Sequence, residues 1–213
     1  MTINWLVEII CEDFFGDIVM RIRKTIDRKF LTRISYWNSD VVKWFDNHYK
    51  GKRSNTVSVI KSMIKDGKSL FALNVILNVI TKKAATEYML WIFDRSRMST
   101  NKRLEEAVSE IRRLIESSYS KKDIREKIYN ICDRVLPDLC CIYDSSFSKV
   151  NELFHEKERI FAIKNIARGM LDERTCTRLV YMTLDSCSTF CEKEKEEKKI
   201  LNKGLKIIKD NMS

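Results

Sequence analysis

"SLFALNVILNVI", residues 69–80, decides the fold. Only Ser69, Asn74 and Asn78 interrupt its apolar run. A helix that is apolar on every side must be covered on every side, so this stretch predicts a helix at the centre of a helical core. It is too short for a bilayer, which takes about 20 apolar residues. The next segment, "AATEYMLWIF" (84–93), is also strongly apolar and supplies a second inner helix.

On the other side lies "TVSVIKSMIKDG" (56–67). Its opening alternation and its Asp66-Gly67 pair suit a β-hairpin. Val59 and Met63, four residues apart, suit a helix started by Ser54 or Asn55, and helix–turn–helix is the reading taken. The chain has Gly 5 and Pro 1 among 213 residues. Sheets and loop-rich enzymes need both residue types at their turns, so their scarcity favours helices with short connections.

Helical spacing continues outward. "INWLVEIICEDFF" (3–15) forms a first helix and "DIVMRIRKTIDRKFLTRI" (17–34) a second, with Ile18, Ile22, Ile26, Phe30 and Ile34 in one stripe. Asn38 or Ser39 caps "DVVKWFDNHY" (40–49), and "KGKRSN" (50–55) is a turn. "NKRLEEAVSEIRRLIESSY" (101–119) carries the stripe Leu104, Val108, Ile111 and Ile115. Ser120 and Asp123 form a near capping box for 121–135, and Pro137 breaks or starts a helix. A long helix covers 147–171, and Asp172 caps another over 173–191. "EKEKEEKK" (192–199) is a solvated charged segment before a short amphipathic close at 200–211. The fold class expected is all-α, a compact bundle of about nine to twelve helices around the central helix 69–80. One domain over 1–213 is expected. The polar stretch 94–103 is the place where a basic N-terminal lobe (1–98) would meet a charge-balanced C-terminal lobe (99–213).

The net charge of +10 is unevenly spread. Residues 1–20 hold four acids and no Lys or Arg, residues 21–103 hold 19 bases and six acids, and residues 104–213 hold 21 bases and 20 acids. Nearly all the excess therefore sits in one block. Such a block attracts polyanions: nucleic acid, an anionic membrane or an acidic protein. Arg21, Lys24, Arg28 and Lys29 lie off the apolar stripe of 17–34. Lys50, Lys52, Arg53, Lys61 and Lys65 follow in and after the turn. Trp37 and Trp44, seven apart, share a helix face and read as core. Tyr36 and Tyr49 are the better aromatics for stacking on bases. The expected partner is RNA or another single strand, contacted through Arg21, Lys24, Arg28, Lys29, Tyr49, Lys50, Lys52, Arg53, Lys61 and Lys65. No RRM, KH, zinc-finger or basic-zipper signature is present.

The alternative is a non-enzymatic interaction module. The first helix, with Trp5, Leu6, Ile9 and Phe14 on more than one face, would grip a protein partner or a second copy of the chain. Catalysis has little to stand on. There is no phosphate-cradling glycine motif and no H-E-x-x-H, and His48 and His155 are the two histidines. No cofactor and no metal site is expected. Seven cysteines form an odd set behind a start without a basic leader. They read as reduced core thiols of a cytoplasmic or nuclear protein that is not secreted. Cys176, Cys187 and Cys191 would share one helical stripe. Ile 24, Lys 24 and Ala 6 fit an AT-rich coding genome, viral among others.

Overall fold

The computed structural model describes residues 22–34, 39–96, 102–117, 126–132, 134 and 147–212. Among them run strand β1 (Thr25–Ile26), helices α1 (Arg28–Ile34) and α2 (Ser39–Tyr49), and strand β2 (Ser54–Asn55). Helices α3 (Thr56–Lys65), α4 (Ser69–Val79), α5 (Lys82–Phe93) and α6 (Lys102–Glu116) follow. The chain closes with α7 (126–132), α8 (Phe147–Ala167), α9 (Glu173–Asp185) and α10 (Phe190–Asp210). The protein is an all-α bundle with ten helices and one two-strand pair among the described residues. The first helix over 3–15, the break at Pro137 and the capping pair Ser120 and Asp123 lie outside them.

α4 is the centre. Ala72 to Leu77 and Val79 are buried without a break. α1, α3, α9 and α10 pack around it. α5 lies against α8, α9 and α10. The buried Tyr88 hydroxyl of α5 donates to the Ile200 carbonyl of α10 at 2.8 Å. One apolar cluster runs from Ile22 to Ile208.

Several starts obey local chemistry. Asn55, Thr81 and Asp172 each accept a first-turn amide at the head of α3, α5 and α9. A side-chain oxygen there satisfies a donor that has no intrahelical partner. α3 is a helix and not half of a hairpin: Val59, Ile60 and Met63 are buried on one face.

Three expectations are corrected. The helix over 17–34 does not run through, because Thr25–Ile26 is extended and α1 begins at Arg28. Tertiary hydrogen bonds hold the extended form. The Arg23 amide donates to the Val79 carbonyl at 3.1 Å, and the Thr56 amide donates to the Lys24 carbonyl at 3.1 Å. Asp27 Oδ1 then accepts the Phe30 amide at 2.8 Å and starts α1. Secondly, the charged stretch 192–199 is no separate segment. It belongs to a 21-residue helix that runs to Asp210, opened by a capping box between Thr189 and Glu192. Thirdly, the cysteine stripe is broken where α9 ends at Asp185. Cys176 is buried, Cys187 sits beyond the helix end, and Cys191 is exposed on α10.

Glu196, in the middle of that charged stretch, is 8% exposed. Its carboxylate accepts from Arg95 Nε and, at 3.2 Å, from Lys199 Nζ. Arg95 in turn lies 4.9 Å over the Trp91 ring. The Arg95 hydrogen bond, helped by Lys199 and opposed by burial, holds the Glu196 carboxyl below its usual range. A depressed carboxyl stabilises the fold above its unfolded value, about 4.3 for Glu, and that contribution is lost as pH falls through the folded value. Urea denaturation should therefore show stability declining below about pH 4.3, with a shallower decline in Glu196→Gln. Equal slopes would refute the assignment.

Candidate polyanion-binding surface

The β1–β2 pair joins the two basic stretches. Thr25 pairs with Asn55 and Ile26 with Ser54, antiparallel. The Thr56 hydroxyl donates to the Arg23 carbonyl at 2.7 Å. Residues separated by about thirty positions in the chain thus share one surface.

Asp27 lies at its centre. Its Oδ2 faces Arg23 at 3.1 Å and Arg53 at 3.5 Å, while its other oxygen caps α1. The Phe30 amide above all, then Arg23 and Arg53, hold its carboxyl below the usual range against the effect of burial. Arg28 Nε lies 3.2 Å from Asp46 Oδ2 on α2. Lys24 and Lys29 are exposed, and no ion pair reaches them among the described residues. A groove of about 1060 Å³ runs along α1, lined by Arg23, Arg28, Lys29 and Arg33 with Asp27 as the one acid among its described lining residues. Arg23 and Arg33 also flank the Phe30 ring, at 4.4 and 5.6 Å from its centroid.

The turn projects next to this surface. Lys50 (φ 50°) and Gly51 (φ 69°) are left-handed, and the Lys52 amide donates back to the Tyr49 carbonyl at 2.9 Å. Such a turn suits glycine and strains other residues. Lys50 and Lys52 are exposed, without an ion pair among the described residues. Tyr49 is half-buried. Its ring stacks on Phe45 at 5.0 Å and its hydroxyl donates to Ser62 Oγ at 2.9 Å. Lys61 and Lys65 are exposed on α3 and are not among the described residues that line the groove. Arg21, Trp5, Leu6, Ile9, Phe14, Tyr36, Trp37, Cys11, Cys140 and Cys141 lie outside the described residues.

His48 is exposed, is not among the described residues that line the groove, and is engaged by its neighbours. Nδ1 lies 2.9 Å from the Trp44 carbonyl and Nε2 lies 2.9 Å from Asp66 Oδ2. The same Asp66 oxygen accepts the Trp44 indole N–H at 2.7 Å. Trp44 is buried, as its spacing predicts.

Two groove cations, Arg23 and Arg33, are absent from the sequence-based set. Arg33 stands four residues after Lys29 on α1, a spacing that places both on one helix face. Arg23 carries no such signal, because its position depends on the extended backbone.

No group of three or more His, Cys, Asp or Glu placed to hold a metal occurs among the described residues. No helix among them is long and apolar enough to cross a membrane. No protein-family model, no curated protein and no solved structure matches the chain.

Proposed function

We propose that the protein binds a single-stranded nucleic acid, RNA in the first place, through the surface built by β1, β2, α1 and the 50–53 turn. The observation that supports this reading is the groove itself: four cations against one acid among its described lining residues. Phosphates are held by such cations with release of counterions, and a groove follows a flexible backbone better than a rigid duplex. Lys24, Lys29, Lys50 and Lys52 are exposed and available to phosphate. Arg23, Arg28 and Arg53 are oriented by Asp27 and Asp46. Orienting a guanidinium in advance reduces the entropy lost on binding.

The test is fluorescence anisotropy with a labelled oligoribonucleotide over a series of salt concentrations. Four phosphate contacts predict a slope of log affinity against log salt of about −3, at roughly −0.7 per contact. The triple variant Lys24→Glu, Lys29→Glu, Arg33→Glu lowers the formal net charge from +10 to +4, three reversals of two units each. It should weaken binding by about tenfold or more at an unchanged melting temperature. The control reverses Lys195, Lys198 and Lys206, exposed on α10, with the same change in net charge. A flat salt series, or equal losses in both triples, would remove the groove from consideration.

A further inference from the structure

A second cleft adjoins the groove, and Arg33 lines both. It lies between the end of α1, the last turn of α4, the start of α5 and the 169–172 turn. Its volume is about 690 Å³, within the roughly 300–1,000 Å³ of small-ligand sites. Its described lining is mixed: Leu77, Ile80 and Leu171 supply apolar surface, while Asn78, Asp172, Arg33 and Lys82 supply polar groups.

The polar atoms are placed in a definite pattern. The Asn74 amide nitrogen donates to the Ile34 carbonyl at 3.1 Å, which turns Asn74 Oδ1 toward Asn78. Asn78 Nδ2 donates to that oxygen at 2.7 Å and to the Asn74 carbonyl at 2.8 Å. Both donors of Asn78 are thereby used, and its Oδ1 is left as an acceptor that no described donor reaches. Asp172 Oδ1 accepts the Thr175 amide at the head of α9, and its other oxygen is a second acceptor. Lys82 reaches over Gly169, whose Cβ position would lie 3.1 Å from Lys82 Cε and Nζ. The cleft thus offers a patch of apolar surface beside two acceptors, with Arg33 and Lys82 as its described cations.

We infer that this cleft receives one base of the bound strand that carries an exocyclic amine: adenine, cytosine or guanine. The inference rests on the nucleic-acid reading of the neighbouring groove. A flat base covers the apolar patch, and its exocyclic amine donates to Asn78 Oδ1 and Asp172. Arg33 and Lys82 take the flanking phosphates as the backbone leaves the groove. Uracil fits less well, because it lacks an exocyclic amine and its single N3–H can serve only one of the two acceptors. Single-stranded RNA is read in this manner, by splayed bases bonded along their edges.

The experiment compares oligo(A), oligo(C), oligo(U) and an abasic ribose-phosphate strand of equal length by anisotropy at one salt concentration. Oligo(A) and oligo(C) should bind about tenfold more tightly than the abasic strand, the order expected of the two hydrogen bonds that the exocyclic amine adds at these exposed acceptors. Asn78→Leu should bring them to the abasic level and leave abasic binding unchanged. Leu171→Trp, which fills the cleft without touching the acceptors, should do the same and guards against misfolding of the first variant. Equal binding of oligo(A) and the abasic strand would overturn the base site while the phosphate groove stands. No binding of any strand would overturn both.

Discussion

Arg159→Ala should destabilise the protein by about 3–5 kcal/mol, the cost of breaking a largely buried ion pair by truncating one member. Arg159 of α8 is 5% exposed. Its Nη1 donates to Glu105 of α6 at 2.8 Å, and its guanidinium lies 4.9 Å over the Phe93 ring of α5. Glu156, one turn earlier, is 3% exposed. Burial pushes the Arg159 guanidinium below its usual range, and Glu105, then Glu156 and Asp94, pull it back. The group still remains charged at neutral pH. Alanine removes the cation and leaves the carboxylates of Glu105 and Glu156 with less compensation. Typical domains have about 5–15 kcal/mol in total, so the loss is a large share. Arg159→Lys keeps the charge but not the planar fork, and should recover part of it. Urea unfolding followed by circular dichroism measures both. A loss below about 1 kcal/mol in the alanine variant would show that this cluster does not hold α5, α6 and α8 together.

Gly204→Leu should cost about 3 kcal/mol, the upper part of the overpacking range. On an exposed helix face, Gly→Ala would gain about 1 kcal/mol from propensity alone. Here the gain is reversed by contact. A Cβ at Gly204 of α10 would lie 2.8 Å from Ile76 Cγ2, 2.9 Å from Ile76 Cδ1 and 3.1 Å from the Tyr88 hydroxyl oxygen. Gly204→Ala should therefore be a net loss, and leucine a larger one. The cause can be isolated with Ile76→Ala. That change alone opens a cavity, but combined with Gly204→Ala it makes room for the new methyl. The double variant should be more stable than the sum of the two losses by at least about 0.5 kcal/mol, the signature of residues in contact. Strict additivity would place the effect of Gly204 elsewhere.

The parts of this fold legible in the sequence are those where one local signal had one meaning. A helix that is apolar all round has no option but the centre, and α4 is there. Asn55 and Asp172 stand at helix heads as their side-chain chemistry predicts. The 17–34 stripe had two meanings. A spacing of four returns to the same face of a helix, but it is also twice the strand period of two. Ile22, Ile26 and Phe30 are buried here, and the partners at Val79 and Thr56 choose a non-helical path for residues 23–26, with Thr25–Ile26 as strand. The end of α9 was obscured because Leu184, Cys187 and Cys191 continue an apolar spacing past it. Thr189 with Glu192 was the readable signal of a new start. Of the proposed site, the basic block was plain from charge counting. That Arg23 belongs to the groove while Lys61 and Lys65 do not follows from tertiary placement, which no local pattern encodes.

The two-residue strand pair has a consequence for work with fragments. A peptide spanning 22–34 carries Arg23, Lys24, Arg28, Lys29 and Arg33, the cations among the groove's described lining residues and one neighbour. It lacks Thr56 and Val79, which hold its first residues extended, and Arg53 and Asp46, which meet Asp27 and Arg28. In isolation it is a flexible polycation, too short to keep a stable helix in water. It should still attract RNA through charge, with a comparable salt slope, but without any difference between one strand and another. On the proposed reading, discrimination belongs to the assembled surface and attraction to the composition, so a mapping experiment that scores only retention of RNA by peptides would report the charge of the stretch and miss what the fold adds to it.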